Sequence, residues 1–156
     1  MALTAAQLSA LKAAIQADPY AAPLAASGSV GAVAQYLNGT PTSTAPTLLW
    51  RKEVTGAELF HALYAPDVLT LTAPQLAVLQ LAGLAGTVDF SNPNIQAGLG
   101  RLFGPQSTTA ANIAALAVRA ATRFEAIFAT AQGQASVTPV YGQQVDAPTI
   151  QQAMGS

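Results

Sequence analysis

The sequence predicts an all-α fold, a compact helical bundle with a minor extended segment and a C-terminal arm. Three observations predict it. Helix-start signals recur along the chain. Apolar residues follow them at three-and-four spacing. Strand-like or extended composition is confined to "TLLWRKEV" at 47–54 and "SVTPVYG" at 136–142. At 156 residues the chain is long enough to bury a core of its own. The expected division is a helical domain over 1–131 and an extended arm with a short terminal helix over 132–156. No internal repeat is visible.

"TAAQ", Thr4 to Gln7, fits a capping box, in which the Thr hydroxyl accepts from a first-turn N–H and Gln reaches back. Leu8, Leu11 and Ile15 then share a helical face, and "DPYAAP" at 18–23 ends that helix. A second helix is expected from Ser29 to Leu37, stopped by "NGTP". "GTPTSTAP" at 39–46 reads as a loop, because its Gly and Pro residues break both periodicities. "TGAE", Thr55 to Glu58, is another capping box, and Leu59, Phe60 and Leu63 give the next helix an apolar side. "TAPQ", Thr72 to Gln75, repeats the signal with Pro in the first turn, where its missing N–H costs little. Leu76, Leu79 and Leu84 follow.

In "SNPN" at 91–94, Asn92 can cap and Pro93 can occupy the first helical position. Ile95, Leu99, Leu102 and Phe103 continue that helix, and "FGP" closes it. The longest helix is expected from Thr108 to Ala131, on a stripe of Ile113, Leu116, Ala117, Ala120, Phe124, Ile127 and Phe128. Arg119 and Arg123 would lie four apart on its flank. After the break at "AQGQ", "DAPTIQQAM" suits a last short helix.

Only six basic and seven acidic residues occur, 8% of the chain, against about 25% in ordinary soluble domains. Such a shortage of charge suggests a surface covered by other subunits. A net charge of −1 is no footprint for nucleic-acid binding. Without cysteine, disulfides, thiolate metal sites and a Cys nucleophile are excluded. "MALTAAQLSALK" lacks the basic and apolar regions of a secretory signal. Val68 to Val88 is free of charge, but Pro74, Gln75, Gln80 and two glycines interrupt it, so it reads as a buried helix with flanking loops rather than a bilayer span.

Motifs for chemistry are lacking. The seven acids form no paired-carboxylate pattern, and nothing like G-x-S-x-G accompanies the single histidine, His61, which reads as a surface or partly buried side chain. "GLGRLFG" at 98–104 has no G-K-[ST] ending, so it is not a phosphate loop. No catalytic residue, cofactor or metal is expected. The densest charge, Arg51-Lys52-Glu53, directly follows the only tryptophan, Trp50. Trp50 either anchors the extended segment to the helices beside a solvated charged edge, or acts with Arg51 as an interface anchor, as Trp and Arg often do.

The order of pieces is distinctive: "LTAAQLSALKAAIQADP", "LLWRKEV", "FSNPNIQAGLGRLFG", "AALAVRAATRFEAIFATAQG" and "VTPVYGQQVDAPTIQQAM". Over nearly the whole chain it resembles small virion assembly proteins of tailed bacteriophages, of the head-to-tail connector (adaptor, or neck) type. The N-P-N-I-x-x-G-L and A-T-R-x-E-x-I/L-F-A-T stretches carry most of the likeness. The resemblance implies a helical structural protein at the virion neck, made in the host cytoplasm. It implies a homo-oligomeric ring, expected to be twelve-fold, that contacts the portal and stopper or tail proteins. DNA would pass through without sequence-specific contact, and no membrane is involved. Interface candidates are Trp50, Arg51, Lys52, Glu53, Arg119 and Arg123, with Tyr141 and Ile150 on the arm. A stopper, tail terminator or capsid-associated protein is the alternative, and an enzyme with an unrecognised site a further, disfavoured one.

Overall fold

The computed structural model of the chain describes residues 2–84, 86–130 and 135–155. In chain order its elements are α1 (Ala5–Ala17), α2 (Ala21–Ala26), α3 (Val30–Asn38), β1 (Leu48–Trp50), β2 (Val54–Thr55), α4 (Gly56–Ala62), α5 (Ala65–Val68), α6 (Ala73–Leu84), β3 (Thr87–Val88), α7 (Pro93–Leu102), α8 (Thr108–Leu116), β4 (Val118–Ala120), α9 (Arg123–Ile127) and α10 (Ala147–Gly155). Helix makes up 56% and strand 7%, so the fold is helix-dominated but not purely α. Two small antiparallel sheets, β1 with β4 and β2 with β3, accompany the helices.

Contacts divide the chain into two units, one of residues 1–48 with 120–156 and one of residues 49–119. The division is therefore not at 131/132, where the sequence placed it. Ala131 to Gln134, the break "AQGQ", lie outside the described residues.

In the discontinuous unit, α1 starts at the expected capping box: Gln7 N–H donates to Thr4 Oγ1, and Thr4 N–H to Gln7 Oε1. Asp18 does more than end α1. Its Oδ1 accepts from Tyr20 N–H and Ala21 N–H, which turns the chain into α2, a helix the sequence did not suggest. Leu8, Leu11 and Ile15 of α1 pack with Val33, Ala34 and Leu37 of α3 and with Phe124 of α9. Val140, Val145, Ile150 and Ala153 complete this core, and α10 packs on α1 and α3. The segment expected as an extended arm folds onto its own unit, because its widely spaced apolar residues find partners there. Polar bonds secure it. Asn38 Nδ2 donates to Val145 O and Val145 N–H to Asn38 Oδ1, both at 2.9 Å. Gly142, with a left-handed φ of 69°, donates its N–H to buried Glu125 at 2.7 Å.

In the contiguous unit, Val54 pairs with Val88 and Thr55 with Thr87. Thr55 and Glu58 form the expected capping box of α4, and Asn92 with Pro93 starts α7 as expected. Val54, Leu59, Phe90, Leu99, Phe103, Ile113 and Ala117 form the core. Buried Thr109 ties α8 to α5: its hydroxyl accepts from Tyr64 N–H, while its own N–H donates to Asp67 at 2.7 Å. Asn112 adds a bond to Ala62 O.

The single helix expected over 108–131 does not form. It ends at Leu116, β4 follows, and α9 starts at a capping box of its own, Thr122 with Glu125. Strand pairing explains the break. Arg51 N–H donates to Ala117 O, and Ala121 N–H to Thr47 O, each at 2.9 Å. The apolar stripe is accordingly split: Ile113 belongs to the core of the contiguous unit and Phe124 to that of the discontinuous one. Phe124 is fully buried and meets Phe128 edge-on at 5.4 Å. Phe124→Ala is expected to cost about 3–5 kcal/mol in a denaturant titration. A loss below about 1 kcal/mol would contradict that packing.

Candidate interaction surface

The expected interface residues do not gather on one face of one unit. Trp50 is half-buried and packs against the core of the contiguous unit. Arg51 is held by backbone and side chain alike. Its N–H reaches Ala117 O, its carbonyl accepts from Phe90 N–H at 2.8 Å, and its guanidinium lies 2.7 Å from Glu58 Oε1. Lys52 is half-buried and Glu53 exposed. Arg119 is half-buried on β4, so it does not share a helix flank with Arg123. Tyr141 is half-buried. Ile150 is fully buried in the core of the discontinuous unit and presents no interface. His61 is exposed, with its ring 6.4 Å from that of Phe60.

Arg123 is engaged within its own unit. Its guanidinium carbon lies 4.2 Å from the Tyr36 ring centroid, and Nη1 donates to Tyr36 O at 3.3 Å. Tyr36 hydroxyl donates to Asp18 Oδ2 at 3.0 Å, while Tyr20 stacks at a tilt, 4.7 Å away. Burial and the Asp18 contact push the Tyr36 hydroxyl pKa up. Burial opposes ionisation of Asp18, but the N–H groups of Ala21 and Tyr20 and the Tyr36 hydroxyl together hold its carboxyl below the usual value. This cluster fastens α9 to α3 and to the α1–α2 turn.

The surface that sequence reasoning missed is α6. Its sequence, APQLAVLQLAGL, is apolar almost all the way round, and Leu79 is its only buried residue. A helix of that kind is normally enclosed. Here Val78 is 52% exposed, Leu81 68% and Leu84 82%, and Phe60 of α4 is 71% exposed. Phe60, expected on the apolar side of α4, stands outside it, and Leu59 and Ala62 are the residues that α4 buries. Between α4, α5 and α6 runs an apolar groove of about 510 Å³, with buried Leu59 and Leu79 beneath and Phe60, Leu63, Leu76 and Leu84 along its sides. The available signal is the charge-free run from Val68 to Val88, which by itself reads as burial within the chain.

Two glycines set the width of this groove at one end. A Cβ on Gly56 would stand 2.0 Å from the carbonyl oxygen of Gly83, whereas a Cβ on Gly83 meets nothing within 4 Å. Among the described residues no three or more His, Asp and Glu side chains cluster to hold a metal. No described helix is long and apolar enough to cross a membrane. No family model, curated protein or solved structure matches the chain.

Two outcomes follow from this geometry. Gly56→Ala is expected to destabilise by about 1–3 kcal/mol through the clash with Gly83. Gly83→Ala should be neutral or stabilising by up to about 1 kcal/mol, since it only improves helix propensity. Equal effects of the two changes on thermal unfolding would refute the one-sided contact.

The second outcome concerns acid. The Thr55 backbone N–H, then the Arg51 guanidinium and the Thr55 hydroxyl, lower the Glu58 carboxyl from 4.5 to about 2. A depressed carboxylate contributes stability that is fully present above its unfolded value and lost as pH falls through the folded one. The denaturant midpoint should therefore drop as pH falls from 4.5 towards 2. Glu58→Gln, which keeps an acceptor for the cap, should flatten that drop, and an unchanged profile would count against the assignment.

Proposed function

We propose that this chain is a structural assembly subunit that docks through the exposed apolar face around α6, and that its place is the head-to-tail neck of a tailed-bacteriophage virion. The observation that carries the assembly reading is an almost wholly apolar helix with Val78, Leu81 and Leu84 open to solvent. Contiguous exposed apolar surface of this kind marks interaction sites, and so small a charge content does little to keep such a surface soluble on its own. The neck assignment rests on the sequence resemblance, above all on the N-P-N-I-x-x-G-L and A-T-R-x-E-x-I/L-F-A-T stretches. In that setting the subunit forms a ring with its own copies, meets the portal on one side and a stopper or tail protein on the other, and encloses the DNA path without reading sequence.

The test is complementation of a phage from which the gene has been removed. Wild-type chain supplied in trans is expected to restore joined, infectious particles. Leu81→Asp, at an exposed position where it leaves the core intact, is expected to leave separate heads and tails in electron micrographs. Normal joined particles without the gene would overturn the neck assignment, and full rescue by Leu81→Asp would overturn α6 as the docking face.

A further inference from the structure

We propose that Asn38–Gly39 is a site of covalent self-modification. When the C-terminal segment lifts, the Asn38 side-chain amide is lost to attack by the Gly39 nitrogen, and the acid left behind keeps that segment from reseating.

Four asparagines occur in the chain, and Asn38 alone precedes a glycine. Asn92 precedes Pro93, which has no N–H to give up. Asn94 and Asn112 precede isoleucines, whose branched side chains crowd the nitrogen that would attack. Gly39 has no side chain to hinder that approach. The fold itself requires this reactive pair. The Asn38 side chain donates to Val145 O and accepts from Val145 N–H, both at 2.9 Å, so it stands in for a strand partner. That exchange needs a donor and an acceptor on one short side chain; aspartate lacks the donor, and glutamine is longer by a methylene. Gly39 is required for a different reason. A Cβ there would lie 3.0 Å from Arg123 Nη1 and 3.3 Å from Tyr36 O, against the guanidinium that covers the Tyr36 ring.

The reaction needs only water. Gly39 N gives up its proton to solvent and attacks Asn38 Cγ. As the N–Cγ bond closes into a cyclic imide, the Cγ–Nδ2 bond breaks, and Nδ2 takes up protons and leaves as ammonia. Water then opens the imide at either carbonyl, which gives aspartate or its isomer linked through the side-chain carbonyl. In the closed structure both reacting groups are held elsewhere. The Asn38 amide is bonded at both ends to Val145, and Gly39 N–H donates to Tyr36 O at 3.2 Å. The amide must turn from Val145 to present Cγ to Gly39 N. The clamp therefore protects Asn38, and local opening exposes it.

The product cannot rebuild the clamp. An ionised carboxylate at position 38 only accepts, so Val145 O loses this donor and faces a negative charge instead. The isomer also adds a carbon to the main chain before Gly39, whose carbonyl accepts from Arg123 N–H at 3.0 Å. Val145 is buried in the same core as Ile150 and Ala153, so its release loosens that end of the unit.

The test follows Asn38 in the purified full chain. Samples are kept in mildly alkaline buffer, folded or unfolded in urea, and conversion is measured by peptide mass mapping. The added negative charge separates converted from unconverted chain by anion exchange. Conversion at Asn38 is expected to be about tenfold or more slower in the folded chain, and to accelerate in urea below the unfolding midpoint. Converted chain recovered from the folded sample is expected to exchange the amide hydrogens of residues 145–155 faster than unconverted chain, with those of 49–119 unchanged. Asn38→Asp is expected to reproduce that loss of protection. If Asn38→Asp does not fold, the converted wild-type chain carries the same measurement. Equal conversion rates folded and unfolded, no conversion in urea, or unaltered exchange in the converted chain or in a folded Asn38→Asp chain would each overturn the proposal.

Discussion

Backbone hydrogen bonding of Thr47 to Arg51 is the constraint around which this fold is organised. Thr47 O accepts from Ala121 N–H and Leu48 O from Ser136 N–H, while Arg51 bonds to Ala117 and Phe90 through its N–H and carbonyl. Breaking any of these leaves a peptide group without its partner, at a cost of about 1–3 kcal/mol where it is buried. Along the sequence, the chain leaves the first unit within β1 and returns to it within β4. The same bonding also explains why charge concentrates after Trp50. The indole packs on apolar side chains, the Arg51 guanidinium reaches the Glu58 carboxylate at the start of α4, and the run of polar residues ends the strand at Trp50.

Local signals in the sequence were readable where they are satisfied locally. The Thr4–Gln7 and Thr55–Glu58 boxes and the Asn92–Pro93 start each depend on residues within one helical turn, and each is present. The interruption of the helix at Leu116 depends on β1, roughly 70 residues earlier in the chain, and periodicity carries no record of such a partner. One clue was nevertheless local: Thr122 and Glu125 have the capping spacing within the supposed helix, and they start α9. The C-terminal segment illustrates a different limit. Spacing identified Val140, Val145 and Ile150 as apolar points but could not say whether their partners lie in the same chain, and they pack on α1 and α3.

The candidate surface was legible only as a paradox. A charge-free, alanine- and leucine-rich run implies burial, and α6 has that composition, yet only Leu79 is enclosed. The interior of the contiguous unit is already filled by Phe90, Phe103, Leu99 and Ile113, so it takes one side of α6 and leaves the rest outside. Sequence rules that hold elsewhere in the chain fail at this helix, and such failures tend to fall where a protein is used.

The discontinuity of the first unit also has a temporal meaning. Its core needs Leu11 and Ile15 from one end of the sequence and Ile150 and Ala153 from the other. During synthesis the stretch 49–119 emerges whole and can fold at once. Helices α1 to α3, made earlier, must wait with Val33 and Leu37 uncovered until α10 leaves the ribosome. Helices α1 to α3 are thus made before the stretch 49–119 but sealed after it, and a chain stalled before α10 exposes half of a core to chaperones and proteases.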